Sequence, residues 1–327
     1  MPSAELNVLL GPLSNRVLVI SGPTASGKSS LAIALAEHLD VEIISADSAQ
    51  VYRGMDLGTA KPSDEVQALI PHHLLDIRDP SDTYSAADFR ADTIRLVSDI
   101  KARGRVPVIV GGTMLYLKAL KDGLADLPRA DQSLRNEIAQ TASQLGWTAI
   151  HEELARIDPE SAARIKPTDT QRLQRAIEVF RLTGKSLTQL HRQKTEPCPF
   201  ELLELAIVPP DRADLHRRIE NRFAQMIEQG FVQEVALLFE REDLHAQLPA
   251  IKSVGYRQVW SYLNGDIGWE VMQASAVAAT RQLAKRQYTW LRSWRDLIVL
   301  REPDVVQVLK MAHSGIILDQ SPVNLRE

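Results

Sequence analysis

Residues 22 to 29 read Gly22, Pro23, Thr24, Ala25, Ser26, Gly27, Lys28 and Ser29, a spacing of glycine, lysine and hydroxyl that makes a complete phosphate-binding loop. In such a turn the backbone N–H groups point inward at a helix N-terminus, Lys28 adds a point charge for phosphoryl oxygens, and the Ser29 hydroxyl can ligate Mg²⁺. The chemistry implied is that of a di- or triphosphate. A second reactive group follows at Asp47, in Ile43-Ile44-Ser45-Ala46-Asp47-Ser48. As a general base Asp47 needs only hydrogen-bond reach to an acidic proton on an acceptor; capping a helix or orienting water on Mg²⁺ are its alternatives. A machine that hydrolyses ATP normally carries a magnesium-binding acid at the end of a later strand. Here the strand-like run at 106–110 ends in Gly111-Gly112-Thr113, with no carboxylate.

These groups require a scaffold that brings loop ends together. Short strand-like runs at residues 17–21, 41–45 and 106–110 alternate with helical patterns at 29–39 and 86–103. That alternation is the rhythm of a doubly wound parallel sheet, whose strand ends form the reactive crevice and would set Asp47 near Lys28. Residues 124–195 lose the strand signal and become helix-like between turns at Pro128, Gly146, Pro159, Pro167 and Gly184. Strand candidates at 203–208 and 297–300 then return the chain to the sheet. The expected division is an α/β core at 1–123, an inserted helical domain at 124–200, a second core segment at 201–301 and a C-terminal tail at 302–327.

Composition narrows the class. With 327 residues, 44% of them apolar, the chain has material for about two domains and an ample core. The single cysteine, Cys198, excludes an internal disulfide, and no Cys/His cluster has zinc-ligand spacing. Residues 1–15 lack a basic segment followed by a sustained apolar one, and no run approaches the roughly 18 apolar residues of a membrane span. A cytoplasmic protein without a membrane partner is expected.

The net charge of −4 hides strong local imbalance. Residues 161–195 carry eight Lys or Arg against two acids, and residues 281–295 carry five basic residues and no acid. Unopposed charge of this kind suits the phosphates of a nucleic acid. Arg281, Lys285, Tyr288, Arg292 and Arg295 recur at spacings of 4, 3, 4 and 3, which places them on one helical face. Leu283, Trp290, Leu291 and Trp294 fall towards another side and read as core.

The run from Asp47 through Gln50, Val51, Tyr52, Arg53 and Gly54 to Gly58-Thr59-Ala60-Lys61-Pro62 resembles the tRNA dimethylallyltransferase (tRNA isopentenyltransferase) family of bacterial type. Further matching segments are Gly111-Gly112-Thr113-Met114-Leu115-Tyr116, Asp169 to Ala176, Val254-Gly255-Tyr256-Arg257-Gln258 and Lys285 to Arg292, so the likeness spans about residues 16 to 301. It implies a P-loop NTPase-like α/β fold, a doubly wound parallel sheet with an inserted helical domain; a monomer is expected, since one chain supplies both the loop and the RNA surface. It also implies an enzyme that moves a dimethylallyl group from dimethylallyl diphosphate to the exocyclic N6 amine of the adenosine just 3′ of the anticodon, in tRNAs reading codons that begin with U. Mg²⁺ is the implied cofactor and the tRNA anticodon stem-loop the implied partner.

By the same resemblance Asp47 takes the amine proton, Thr24 touches the diphosphate and Arg222 reaches it from the facing wall, with Arg217 and Arg218 as alternatives to Arg222. The implied tRNA contacts are Asp47, Ser48, Ala49 and Gln50; Thr113; Arg135; Gln171, Arg172, Leu173, Gln174 and Arg175; Lys252, Ser253, Val254, Gly255, Tyr256 and Arg257; and Lys285, Arg286, Gln287, Tyr288, Thr289, Trp290, Leu291 and Arg292. Tyr52, Tyr116 and Tyr256 serve equally well as packing residues.

Three rivals share parts of this pattern. A small-molecule kinase uses the same loop and Mg²⁺ but has no need of the basic helical segments. A prenyltransferase acting on free nucleotides shares the loop and the aspartate, again without use for a tRNA-sized surface. An RNA-binding protein without activity explains the basic tracks and leaves Gly22 to Ser29 idle. The sequence contains no Asp-Asp pair, which removes the aspartate-rich diphosphate site of chain-elongating prenyl synthases.

Overall fold

The computed structural model describes residues 16–193 and 196–314. Six strands, β1 (Arg16–Ser21), β2 (Val41–Ser45), β3 (His72–His73), β4 (Val106–Val110), β5 (Glu201–Ile207) and β6 (Ile298–Leu300), form one sheet in the order β3-β2-β4-β1-β5-β6. Every pairing is parallel. All five residues of β2 and of β4 are buried, as in strands covered on both faces, Glu42 and Ser45 of β2 included. β3 consists of two histidines, too few to leave a period-two pattern in the sequence.

Between the strands run α1 (Lys28–Ala36), α2 (Asp64–Leu69), α3 (Ala86–Ala102) and α4 (Met114–Asp122). A capping box starts α3: the Ser85 side chain accepts from the Asp88 N–H while the Asp88 carboxylate accepts from the Ser85 N–H. The chain then forms α5 (Gln132–Leu145), α6 (Trp147–Ile157), α7 (Pro159–Arg164), α8 (Thr170–Thr183) and α9 (Leu187–His191), and returns through α10 (Arg212–Glu228), α11 (Phe231–Phe239), α12 (Tyr256–Leu263), α13 (Trp269–Arg292) and α14 (Val305–Ser314). Two compact units result: residues up to Lys121 together with those from Pro199 onward, and Asp122–Cys198.

In the sheet unit, Leu18, Ile20, Val108 and Leu205 pack against Leu31 and Leu35 of α1 and against Leu300, Val308 and Met311. Residues 302–314 are therefore not wholly a tail. Val308 and Met311 on one face of α14 complete the core beside α1, at 0% and 2% exposure. The helical unit has its own core of Ile138, Ile150, Leu154, Leu173 and Ile177. Its helices start on side-chain caps: Asp131 accepts from the Leu134 N–H, Asp158 from Ser161 and Asp169 from Arg172. No described helix is long and apolar enough to cross a membrane.

Candidate active site

The site is assembled at the carboxyl ends of β1, β2 and β4, where the order of connection reverses across the sheet. After β1 the chain turns sharply through Gly22, whose φ is +144° and where a Cβ would lie 2.5 Å from the Ile207 carbonyl oxygen. Only glycine fits there. The loop then enters α1, and its Lys28 ammonium folds back to donate to the Pro23 carbonyl at 2.7 Å. Ser26 is 1% exposed and its hydroxyl has no partner among the described residues, a buried polar group of the kind a bound oxyanion satisfies. Ser29, in the first turn of α1, is exposed and faces the same cavity.

Asp47 leaves the end of β2 in a tight turn in which one carboxylate oxygen accepts from the Ala49 N–H at 2.9 Å. The Ser48 N–H donates to the Thr113 hydroxyl at 3.0 Å, so the loop after β4 props the loop that carries the aspartate. Gln50 points inward instead, donating to the Thr59 and Ala60 carbonyls at 3.2 Å each. From the opposite side α10 brings Arg222. Arg217 and Arg218, its sequence alternatives, both pair with Asp214.

Thr24, Asp47 and Arg222 line two adjoining cavities, one of about 1020 Å³ and one of about 480 Å³. Lys28 and Ser29 face the first; Ser48, Thr113, Lys252, Arg286 and Trp290 face the second. Met226 and Leu283 form an apolar patch common to both. Burial pushes the Lys28 pKa down to about 8 against the pull of Asp47, with Arg222 adding repulsion. Burial likewise lowers Arg222, opposed by Asp47. Two desolvated cations share one carboxylate, and neither forms an ion pair among the described residues. That excess positive charge in a concave site suits a polyanion.

The fit to magnesium rests on the same donors. Among the described residues no group of three or more His, Cys, Asp or Glu side chains could cage a metal. An exposed serine hydroxyl beside a phosphate cradle matches an ion that keeps several waters and is held largely by substrate phosphates.

The expected RNA contacts divide by burial. Arg172, Lys252, Arg257, Lys285, Arg286, Thr289, Trp290 and Arg292 are exposed, whereas Leu173, Tyr256 and Leu291 are buried at 0%, 0% and 1%. Leu173 and Leu291 are corrected to core, whereas Tyr256, its hydroxyl donating to Glu234, lies in the wall of the second cavity. Residues in an unbroken helical run point every 100° around the axis, so such a run cannot face one partner throughout. Gln287 is also buried, with its amide bound between the Thr24 N–H and the Gly112 carbonyl. Tyr288 is half-buried and donates to the Pro209 carbonyl. The reverse correction applies to Trp290 and Leu283, read as core and found lining the second cavity, Trp290 with 36% exposure. Arg281 is not an unopposed charge, because α10 supplies Glu220 as its partner.

In the helical unit Arg135 donates twice to Glu178, at 2.8 and 3.1 Å, and Arg175 once, at 2.6 Å. Glu178 is 0% exposed. Burial pushes its carboxyl up, and the hydrogen bonds from Arg135 and Arg175 outweigh this and hold it below the usual range. Gln174 donates to the Arg135 carbonyl, and Gln171 is exposed at the start of α8.

Two kinds of site residue leave no mark in the sequence. Met226 and Leu283 look like ordinary apolar positions of amphipathic helices. Glu234 on α11 accepts from the Asp56, Leu57 and Gly58 N–H groups and from the Tyr256 hydroxyl, clamping the loop that continues from Asp47.

The family model described as IPP transferase matches residues 50–294. The full-length tRNA isopentenylpyrophosphate transferase of Bacillus halodurans is 35% identical, with 92% of this chain and 95% of that one covered at a TM-score of 0.66. The tRNA delta(2)-isopentenylpyrophosphate transferase of Staphylococcus epidermidis is 32% identical over 91% of this chain and 97% of that one, at 0.64. A eukaryotic dimethylallyltransferase acting on tRNA is 26% identical over 92% of this chain and 77% of that one, at 0.74. A phosphate loop facing an aspartate and a half-buried arginine, on a parallel sheet with a separate helical unit, thus accompanies the family match, and the chain belongs to the tRNA dimethylallyltransferase (IPP transferase) family of prenyltransferase enzymes.

Proposed function

We propose that this enzyme transfers the dimethylallyl group of dimethylallyl diphosphate to the N6 amine of the adenosine immediately 3′ of the anticodon, in tRNAs that read codons beginning with U. The observation that carries the reading is the pair of cavities meeting at Thr24, Asp47 and Arg222. The larger, with Lys28 and Ser29, suits the diphosphate, and the apolar patch of Met226 and Leu283 suits the five-carbon tail. The smaller, of about 480 Å³, has volume for one extruded purine, the form in which enzymes reach an RNA base that is otherwise stacked.

In the reaction the allylic C–O bond breaks as the N6–C bond forms. The electron pair of the C–O bond leaves with diphosphate, and the amine proton passes to the Asp47 carboxylate. Positive charge grows on the allylic carbon and negative charge on the departing oxygens, so Lys28, Arg222 and the loop amides stabilise the transition state more than the bound donor. Asp47, turned by its Ala49 hydrogen bond, serves as the proton acceptor at the shared wall. The Ser29 hydroxyl, together with oxygens of the donor, would hold Mg²⁺, which when bound would supply further neutralisation of the leaving group. The exposed Lys252, Arg257, Lys285, Arg286 and Arg292 hold the anticodon stem-loop by its phosphates.

The test is mass spectrometry of nucleosides from unmodified tRNA incubated with pure protein, Mg²⁺ and dimethylallyl diphosphate. N6-isopentenyladenosine is expected at the nucleotide 3′ of the anticodon. Equal prenylation of free AMP would favour the nucleotide-modifying rival, and phosphoryl transfer from ATP without a prenylated product would favour a kinase.

A further inference from the structure

Gln287 lies on the inward side of α13, 6% exposed, with both ends of its amide engaged. Its Oε1 accepts from the Thr24 N–H at 2.9 Å and its Nε2 donates to the Gly112 carbonyl at 2.9 Å. The Thr24 N–H and the Pro23 carbonyl belong to one planar peptide unit. Gln287 therefore holds one edge of that plane, and the Lys28 ammonium holds the other at 2.7 Å. Gly112 is fitted to the same contact, since a Cβ there would lie 2.3 Å from Gln287 Nε2. Neighbouring Lys285 and Arg286 are exposed, so the helix that presents the basic surface also pins the phosphate loop.

A glutamine that merely docked a helix would satisfy itself on whatever backbone lay nearest. Both bonds here end on the loops that follow β1 and β4 and line the two cavities. We propose that Gln287 is a positioning residue for the prenyl diphosphate: it fixes the Pro23–Thr24 peptide, and through it Lys28, and so acts on the donor rather than on RNA. The proposal rests on the reading of the larger cavity as the donor site.

Two variants and a comparator test it. Gln287→Met keeps the volume and removes both hydrogen bonds. Gln287→Glu keeps the acceptor for Thr24, loses the donor to Gly112 and brings a negative charge beside the loop. Lys285→Ala, on the exposed face, reports loss of an RNA contact. The Met variant is expected to lower kcat/KM for dimethylallyl diphosphate about tenfold, the scale of one or two lost hydrogen bonds, and the Glu variant to lower it further. The tRNA Kd stays within about twofold of wild type for both, whereas Lys285→Ala shifts the tRNA Kd and spares the donor.

Thermal unfolding with and without inorganic pyrophosphate gives a readout independent of turnover. Folded wild type gains Tm on adding pyrophosphate, and each Gln287 variant gains less. Donor kcat/KM and pyrophosphate shifts equal to wild type in both variants would overturn the proposal, as would a changed tRNA Kd with an unchanged donor constant. Failure of wild type itself to prenylate tRNA would instead reject the proposed reaction, and the pyrophosphate shift would still read the role of Gln287.

Discussion

Removing Lys285 and Arg292 together tests whether α13 touches RNA phosphate. Both side chains are exposed, and neither forms an ion pair among the described residues, so each is available to displace a counterion. Every phosphate contact contributes about 0.7 to the salt slope on single strands and about 0.9 on a duplex. Two lost contacts therefore reduce the slope of log K against log[salt] by about 1.4 to 1.8. Between 50 and 200 mM salt, a fourfold change, wild type loses roughly sevenfold to twelvefold more affinity than Lys285→Ala/Arg292→Ala. Fluorescence anisotropy of labelled tRNA over a KCl series measures both slopes. Arg281→Ala is the internal contrast, because Glu220 already occupies that guanidinium. Its slope is expected to change by less than about half of one contact. A double variant with the wild-type slope, or an Arg281→Ala change as large as that of a free cation, would refute the assignment of this face.

Three further outcomes are expected. Asp47→Ala loses about 10² to 10⁴ in single-turnover rate while still binding tRNA, and an undiminished rate removes Asp47 from proton transfer. Arg222→Ala lowers the same rate by about 10² to 10³, the usual loss for one group stabilising developing negative charge, and a change confined to tRNA affinity would contradict its place at the leaving group. Glu42→Gln flattens the acid limb of stability. Hydrogen bonding from Arg103, with help from His73, lowers the buried Glu42 pKa to about 2. The unfolded chain then binds the proton more readily, so this stabilisation is complete above the ordinary carboxylate value of 4.5 and is lost as pH falls towards 2. Discounted for the half-exposed Arg103, about 2 kcal/mol is at stake, and equal acid unfolding midpoints for the two proteins would rule it out.

The sequence declares the parts of this site whose residue types are forced. Gly22, Lys28 and Ser29 follow from the geometry of a phosphate cradle, and Asp47 from its position at a strand end. Continuous apolar runs reveal β1 and β4 because both sheet faces are covered, and β2 shows as a shorter one broken by Glu42. What stays hidden depends on tertiary placement. Val308 and Met311 read as any apolar pair until α14 sets them beside α1. Gln287 and Trp290 belong to one short run, yet three residues of helix separate a buried amide from an open indole. Glu220 cancels Arg281 from a helix some sixty positions away, beyond any local count of charge.

The Glu178 anchor has an evolutionary consequence. One interior carboxylate serves two guanidiniums and the Asp131 N–H, so no member of the trio drifts alone: losing Glu178 removes the ionic partner of Arg135 and Arg175 together, while losing either arginine leaves the interior anion with one cation and that N–H. Single substitutions are each harmful, and compensated combinations less so. Among descendants of this enzyme the three positions should change in concert, as a unit of reciprocal epistasis.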